Sequence, residues 1–283
     1  MLNYILYRIG EYIALHAPLG FSYRLAEFLS ELQYIFSTRD RRSVLDNLRV
    51  ILPYEKNPQR VAREAFRNFG RYLVEFFRVP KINRKYIEDN IEIIGRENMD
   101  AALKKGKGVI GLAAHIGNWE LGGIALAILG YPVSAIALPH KDRRVNNFFN
   151  SQRRNKGIEV MQLGNAARRC LEALKQKKIV AILGDRDFSQ GGYLLDFLSR
   201  QKIIPKGPAA FALKTGAPII FGVMLRRKNN KFRLILEKPI DFSATGDKEK
   251  DTLELTKKYA AIIEGYIRKY PEQWLMFRRF WLE

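Results

Sequence analysis

From Ile91 onward the chain alternates short runs of β-branched and other apolar residues with stretches of helical periodicity, and that alternation leaves few folds open. Such runs read as strands buried on both faces, and the helical stretches between them are the connections that parallel neighbours need. The strand candidates are GVIGLAA, PVSAIAL, IEVMQL, KIVAILG, PIIFGVML and FRLILEK. Helical patterns fall near 118–129, 143–156, 165–177 and 207–215, with a longer one near 249–269. Residues 1–90 have a different texture: in YRLAEFLSELQYIF and NPQRVAREAFRNFGRYLVEFFRV apolar positions recur three or four apart. The expected fold is α/β, with a mostly parallel central sheet flanked by helices over residues 91–283 and a helical N-terminal region over residues 1–90.

At 283 residues the chain is long enough to bury a sizeable core. Its 49 Lys+Arg against 29 Asp+Glu give a net charge of +20, which attracts nucleic acid, anionic lipid or an acidic protein. The basic residues are spread along the chain, and no nucleic-acid-binding motif accompanies them. A basic nucleic-acid-binding protein is therefore the alternative from a different class, and no nucleic-acid partner is expected. Cys170 is the single cysteine, so no internal disulfide forms, and its helical context suggests a buried structural thiol. The N-terminal MLNYILYRIGEYIALHAPLGF is rich in apolar residues, but Arg8, Glu11 and His16 interrupt it and Pro18 breaks it. It lacks the run of roughly 20 apolar residues that a span needs. It reads as an amphipathic, aromatic-rich helix, lying in a bilayer interface or packed on the protein, with the net charge favouring an anionic membrane surface.

The segment GVIGLAAHIGNWELGG, residues 108–123, concentrates the chemistry. A buried strand would end just before His115, placing the imidazole in the crevice where open α/β sheets bind ligands. Glu120 would stand in the first turn of the next helix, close enough to fold back toward the ring. A carboxylate on one ring nitrogen fixes the tautomer and leaves the other nitrogen as a base. With no Gly-x-Ser-x-Gly nucleophile in the sequence, such a pair suits direct deprotonation of a substrate hydroxyl. A strand-end histidine beside a helix-start charge is the plain structural alternative, and on these two residues alone it has the stronger claim. Asn118 either caps the helix or contacts substrate; Trp119 reads as packing. Asp185 and Asp187, in GDRDFSQGG, follow the strand KIVAILG on the same sheet edge if the strands are parallel, where they bind substrate, assist the histidine or form a solvated turn. No metal site is expected, since no second histidine is placed beside His115.

HIGNWE resembles the His-x4-acid motif of glycerolipid and lipid A acyltransferases, and its Asn-Trp-Glu form is similar to the late lipid A (lauroyl and myristoyl) acyltransferase branch. Four further segments resemble that family in its order: DNLRVILP at 46–53, GDRDFSQGGYLLDFL at 184–198, KGPAAFALKTGAPII at 206–220 and YPEQWLMFRRFW at 270–281. The resemblance implies His115 as general base, Glu120 as its orienting partner, and a substrate-binding arginine in SQRRNKG, for which Arg153 is preferred over Arg154. Asp185 and Asp187, in the family's Asp-x-Asp segment, then bind sugar hydroxyls or assist the histidine, Asn118 beside the dyad is a further candidate substrate contact, and no cofactor is expected, with acyl-ACP or acyl-CoA as co-substrate. The resemblance further implies acyl carrier protein as partner, a Kdo-bearing lipid A precursor as glycolipid acceptor, and peripheral or interfacial attachment at the cytoplasmic face of the inner membrane. Acylation of another glycolipid, such as a phosphatidylinositol mannoside, from acyl-CoA is the nearer rival. Better-known members carry a membrane-spanning helix where this chain has its interrupted segment.

Overall fold

The computed structural model describes residues 1–188 and 191–281. Four helices come first, α1 (Leu2–His16), α2 (Leu19–Phe36), α3 (Thr38–Ile51) and α4 (Pro58–Phe77). The α/β part then runs α5 (Arg84–Asn90), β1 (Ile91–Ile94), α6 (Arg96–Lys104), β2 (Val109–Ala113), α7 (Trp119–Ile128), β3 (Val133–Ala137), α8 (Arg143–Arg154) and β4 (Glu159–Gln162). It continues through α9 (Ala166–Lys175), β5 (Ile179–Leu183), a hairpin of β6 (Tyr193–Phe197) and β7 (Arg200–Ile204), α10 (Gly207–Thr215), β8 (Ile219–Arg226), β9 (Phe232–Leu236) and α11 (Lys248–Lys269). Seven strands form one sheet in the order β1-β9-β8-β2-β5-β3-β4. All pairs are parallel except β8 with β9. The exception follows from chain length: residues 227–231 close a tight turn, with Arg227 N–H on the Lys231 carbonyl at 2.8 Å and Asn230 at φ 59°, too short for a parallel crossover.

Alternation along the strands sorts the core into two layers. Ile110 and Leu112 of β2 and Ile219, Phe221 and Val223 of β8 join Tyr259 and Ile263 of α11 and Phe66 of α4 on one face. Val109, Ile220 and Met224 pack with Leu121 and Ile124 of α7 and Phe76 and Phe77 of α4 on the other. The helices before Ile91 thus share both cores with the sheet. α4 binds them together: Asn57 caps it at 3.1 Å from Arg60 N–H, Pro58 opens its first turn, and its fully buried Phe66 and Phe76 each contribute about 1.5–3 kcal/mol.

On the α7 face the sequence leaves space. Gly111 of β2 and Gly222 of β8 occupy positions whose neighbours along the same face, Val109, Ile220 and Met224, carry side chains. Gly122 and Gly123 of α7 come down opposite them, and all four glycines line one cavity of about 970 Å³.

α1 turns its charge inward. Glu11 is buried, held by Arg8 at 2.6 Å and by Gln152 of α8 at 2.8 Å, whereas Leu2, Ile5, Leu6, Ile9 and Tyr12 are exposed. α2 likewise exposes Phe21, Phe28, Leu29 and Phe36. Among the described residues no helix is long and apolar enough to cross a membrane.

Candidate active site

The register of the sheet builds the site. β2 and β5 are parallel neighbours with Ala113 opposite Leu183, and the ladder extends one bond further, Gly184 N–H to the Ala113 carbonyl at 2.8 Å. Two residues past each strand, His115 and Asp185 therefore arrive side by side. Asp185 Oδ1 lies 2.8 Å from His115 Nδ1, and Oδ2 accepts from the His115 backbone N–H at 3.1 Å and from Trp274 Nε1 at 3.4 Å. Burial of Asp185 is complete and by itself favours the neutral acid. The His115 charge and these hydrogen bonds outweigh it and hold the carboxyl below the usual carboxylate range. An ionised Asp185 only accepts hydrogen bonds, so Nδ1 carries a proton in either ring state, and whenever the ring is neutral the lone pair is on Nε2. His115 itself lines the cavity.

The loop bearing the imidazole is tied down residue by residue. Leu275 N–H donates to the His115 carbonyl at 2.8 Å, Gly117 N–H to the Gln273 carbonyl at 2.8 Å, and Asn118 N–H to the Met224 carbonyl at 2.9 Å. Gly117 sits at φ 63°, and a Cβ there would overlap the Met224 carbonyl oxygen, so both the left-handed backbone and the close approach call for glycine. Gln273 also brackets β8, its Oε1 accepting from Arg226 N–H at 2.9 Å and its Nε2 donating to the Arg226 carbonyl at 3.1 Å.

Glu120 is not the carboxylate on the imidazole. It stands in the first turn of α7 facing α8, where Arg153 grips it with Nε at 2.9 Å and Nη2 at 2.5 Å. Arg153 Nη1 goes on to Asn150 Oδ1 at 2.8 Å. The expected pairing changes because strand register delivers Asp185 to Nδ1, while helix geometry turns Glu120 toward Arg153. Glu120, Arg153 and Asp187 all line the cavity beside His115, and Asp187 Oδ2 accepts from Gly192 N–H at 3.1 Å. Arg153, rather than Arg154, is thus the arginine of SQRRNKG that reaches the site. Asn118 is buried away from the cavity wall: its Oδ1 accepts Leu121 N–H at 2.9 Å as the cap of α7, and its Nδ2 donates to Glu75 Oε2 at 2.6 Å. It fills the capping role expected of it and is not among the residues that line the cavity.

Sequence reasoning passed over Trp274, Gln273 and Glu75. Glu75 is buried among α2, α4, α7 and β8, where it accepts from Tyr23 at 2.8 Å, from Asn118 and from Arg226, whose buried Nη1 has no hydrogen-bond partner among the described residues. Its signal was a carboxylate on the apolar stripe of RYLVEFF. Trp119 stacks on Tyr72 at 4.9 Å and meets the His115 ring edge-on at 5.0 Å. Among the described residues no cluster of His, Cys, Asp and Glu is arranged to hold a metal.

Away from the polar mouth the cavity wall is apolar, with Met224, Leu234, Leu236 and Met99 around the four glycines. A base with one free lone pair at the opening of such a cavity fits a substrate with a polar reacting centre and a hydrocarbon chain.

Comparison with known proteins points the same way. The chain is 26% identical to a phosphatidylinositol mannoside acyltransferase of Mycolicibacterium smegmatis over 229 residues, 80% of this chain and 73% of that protein. It is 27% identical over 225 residues to the protein of that name from Mycobacterium tuberculosis, 77% of this chain and 69% of that one. A lipid A biosynthesis palmitoleoyltransferase of Escherichia coli is 24% identical over 242 residues, 82% of this chain and 76% of that protein. The family model for bacterial lipid A biosynthesis acyltransferases matches residues 1–283, the whole chain, which therefore belongs to that family of acyltransferases.

Proposed function

We propose that this acyltransferase moves a fatty acyl group from a thioester donor to a hydroxyl of a glycolipid, with His115 as general base. The observation that carries the reading is the His115–Asp185 pair at the mouth of an apolar cavity. Nε2 takes the proton of the acceptor hydroxyl as its oxygen attacks the thioester carbonyl. The tetrahedral intermediate collapses to the ester, the carbon–sulfur bond breaks, and the proton on Nε2 passes to the departing sulfur. Developing negative charge on the carbonyl oxygen is opposed by Arg153 and by the amides of Trp119 and Glu120, which a helix start leaves without intrahelical acceptors. No acyl-enzyme is needed, in keeping with Cys170 lying fully buried in the core. The glycine-lined apolar space takes the acyl chain. Glu120 and Arg153, locked together, form one rigid wall of the opening.

The donor in this reading is acyl carrier protein, an acidic partner suited to a +20 chain, and the acceptor a Kdo-bearing lipid A precursor. The mycobacterial relatives favour a second reading, acyl-CoA with a phosphatidylinositol mannoside. The outward apolar faces of α1 and α2 dock in the interface of an anionic membrane, on the cytoplasmic side, while buried Glu11 keeps α1 on the protein. Transfer of labelled acyl groups from each donor to each acceptor in micelles, with His115→Ala as control, tests the reading. Transfer that depends on His115 with either pair supports it and selects the acceptor. No transfer with any pair, or transfer indifferent to His115, refutes it.

A further inference from the structure

Proton transfer leaves one group of charges at the cavity mouth unused. Arg186 follows Asp185 directly, and Arg278 lies four residues beyond Trp274; both side chains line the cavity next to His115 and Asp187. Lys202 reaches the same corner from β7, close enough for Arg186 and Arg278 to oppose its charge. Burial and then the Arg278 charge hold Arg186 below the ordinary arginine range, and burial and then the Arg186 charge do the same to Lys202. Asp185 and Asp187 offset part of the repulsion, but Asp185 spends its hydrogen bonds on His115 and Trp274. Among the described residues, the buried ion pairs around the site are His115–Asp185, Glu120–Arg153 and Glu75–Arg226, and none of these includes Arg186, Lys202 or Arg278.

Aromatic faces hold two of them instead. The Arg186 guanidinium lies 4.7 Å from the centre of the Phe188 ring, and Lys202 Nζ lies 4.4 Å from that of Phe280. A ring face anchors a cation without consuming its N–H donors, so the donors remain for a ligand. Gathering like charges, two of them partly desolvated (Arg186 and Lys202) and the third exposed (Arg278), is unfavourable until an anion of matching geometry joins them, and guanidinium forks match phosphate oxygens.

We propose that Arg186, Lys202 and Arg278 form a phosphate-binding site that seats a phosphate group of one substrate, either on the donor's pantetheine arm or on the glycolipid acceptor. The inference rests on the acyl-transfer reading and adds to it a polar anchor on the cavity's charged side. The acyl chain then fixes one end of the reacting complex and the phosphate another, with Nε2 of His115 between them.

The test compares the unchanged enzyme with Arg186→Gln/Arg278→Gln and with Lys228→Gln, a control that removes a charge from the exposed β8–β9 turn. Rates are measured while donor and acceptor are varied separately, each with and without its phosphate: acyl-CoA against an acyl-N-acetylcysteamine thioester, and phosphorylated against dephosphorylated glycolipid. Loss of two charge-assisted contacts is expected to raise KM for one substrate about ten- to a hundredfold. That rise should disappear with the form lacking phosphate and be absent in the control. The substrate affected identifies the source of the phosphate. Calorimetric titration with inorganic pyrophosphate, read without turnover, separates failure of this site from failure of the acyl-transfer reading. Saturable binding abolished in the double variant supports the site. Binding equal in both proteins, or absent from the unchanged one, overturns it, as does a KM change that persists with substrates lacking phosphate.

Discussion

Exchanging Asp185 for asparagine is the sharpest test of which carboxylate serves the histidine. Oδ2 of Asp185 accepts two donors, the His115 backbone N–H at 3.1 Å and Trp274 Nε1 at 3.4 Å, whereas Oδ1 accepts only Nδ1 at 2.8 Å. In Asp185→Asn the single amide oxygen belongs at the two-donor position, which points the NH2 group at Nδ1. Nδ1 must then accept, the ring proton moves to Nε2, and the base is in the wrong tautomer. In a hydrolase triad the same exchange lowers kcat about 10⁴-fold. We expect a loss of about 10³–10⁴ in kcat here, or about 4–5.5 kcal/mol of barrier at 1.36 kcal/mol per decade. Glu120→Gln keeps a hydrogen bond to Arg153 and leaves Nδ1 untouched, so its kcat should fall by no more than about tenfold. The assay is single-turnover acyl transfer with both substrates saturating, on variants whose circular dichroism and melting match the parent. A Glu120→Gln loss equal to that of Asp185→Asn, or an Asp185→Asn enzyme within tenfold of the parent, would show that Asp185 is not the orienting group. Acid stability gives a second readout. Because its pKa is depressed in the folded state, ionised Asp185 contributes stability fully above about pH 3.9, the unfolded value, and loses it as pH falls through the folded pKa. Asp185→Asn should therefore flatten that part of the unfolding profile, read by fluorescence.

Three further outcomes follow from the packing. At Gly122 a Cβ would stand 3.5 Å from Met224 Cβ and 3.8 Å from Leu234 Cδ1, ordinary contact, so Gly122→Leu should fold but fill the cavity. Competition between long- and short-chain donors should then shift about tenfold or more toward the short one, and an unchanged ratio would remove this space from the acyl path. Glu75→Gln leaves Arg226 buried without its counter-charge and should cost about 3–5 kcal/mol in urea unfolding, whereas Glu75→Leu/Arg226→Met should recover most of it. Burial pushes the Cys170 thiol up to about 12, so maleimide at pH 7.5 should label it only after unfolding.

The sequence announced the βα alternation because β-branched runs and 3.6-residue periodicity are local, and the six strands it indicated are all present. The β6–β7 hairpin escaped it for a physical reason. Its two-residue turn is Leu198–Ser199, with φ 55° and 69°, where Asn-Gly would have been the signal. Leu198 is held in that unfavourable conformation by complete burial, a tertiary effect that no local pattern records. β1 escaped because four residues starting at Ile91 are too few to show a period. His115 was legible from its place after a buried run, and Asp185 and Arg153 from the resemblance of their segments, but their pairing was not. A carboxylate five residues from a histidine is close in sequence, while one seventy residues away becomes its partner only through the parallel register of β2 and β5.

The same distinction bears on how the site keeps its shape. Apart from local bonds such as Ile116 N–H to the Ala114 carbonyl, the backbone anchors of the 115–118 loop come from segments far off in sequence: Asp185, Met224, Gln273 and Leu275. Such contacts form late in folding, since each closes a long loop, and once formed they leave the imidazole little freedom. Asn118 extends this frame outward through Glu75 to Tyr23 on α2, the helix that also exposes Phe21 and Phe28. α2, whose exposed apolar face is proposed to dock on a membrane, is thus joined to the 115–118 loop by two consecutive hydrogen bonds. Tyr23→Phe removes the outer bond while retaining the ring, and should leave transfer to acceptor in detergent within about threefold of the parent, because Asn118 and Arg226 still hold Glu75. If kcat instead falls with the lipid-presented acceptor alone, measured on vesicles with donor saturating, the network transmits membrane docking to the base; equal rates in both settings make it a purely structural brace.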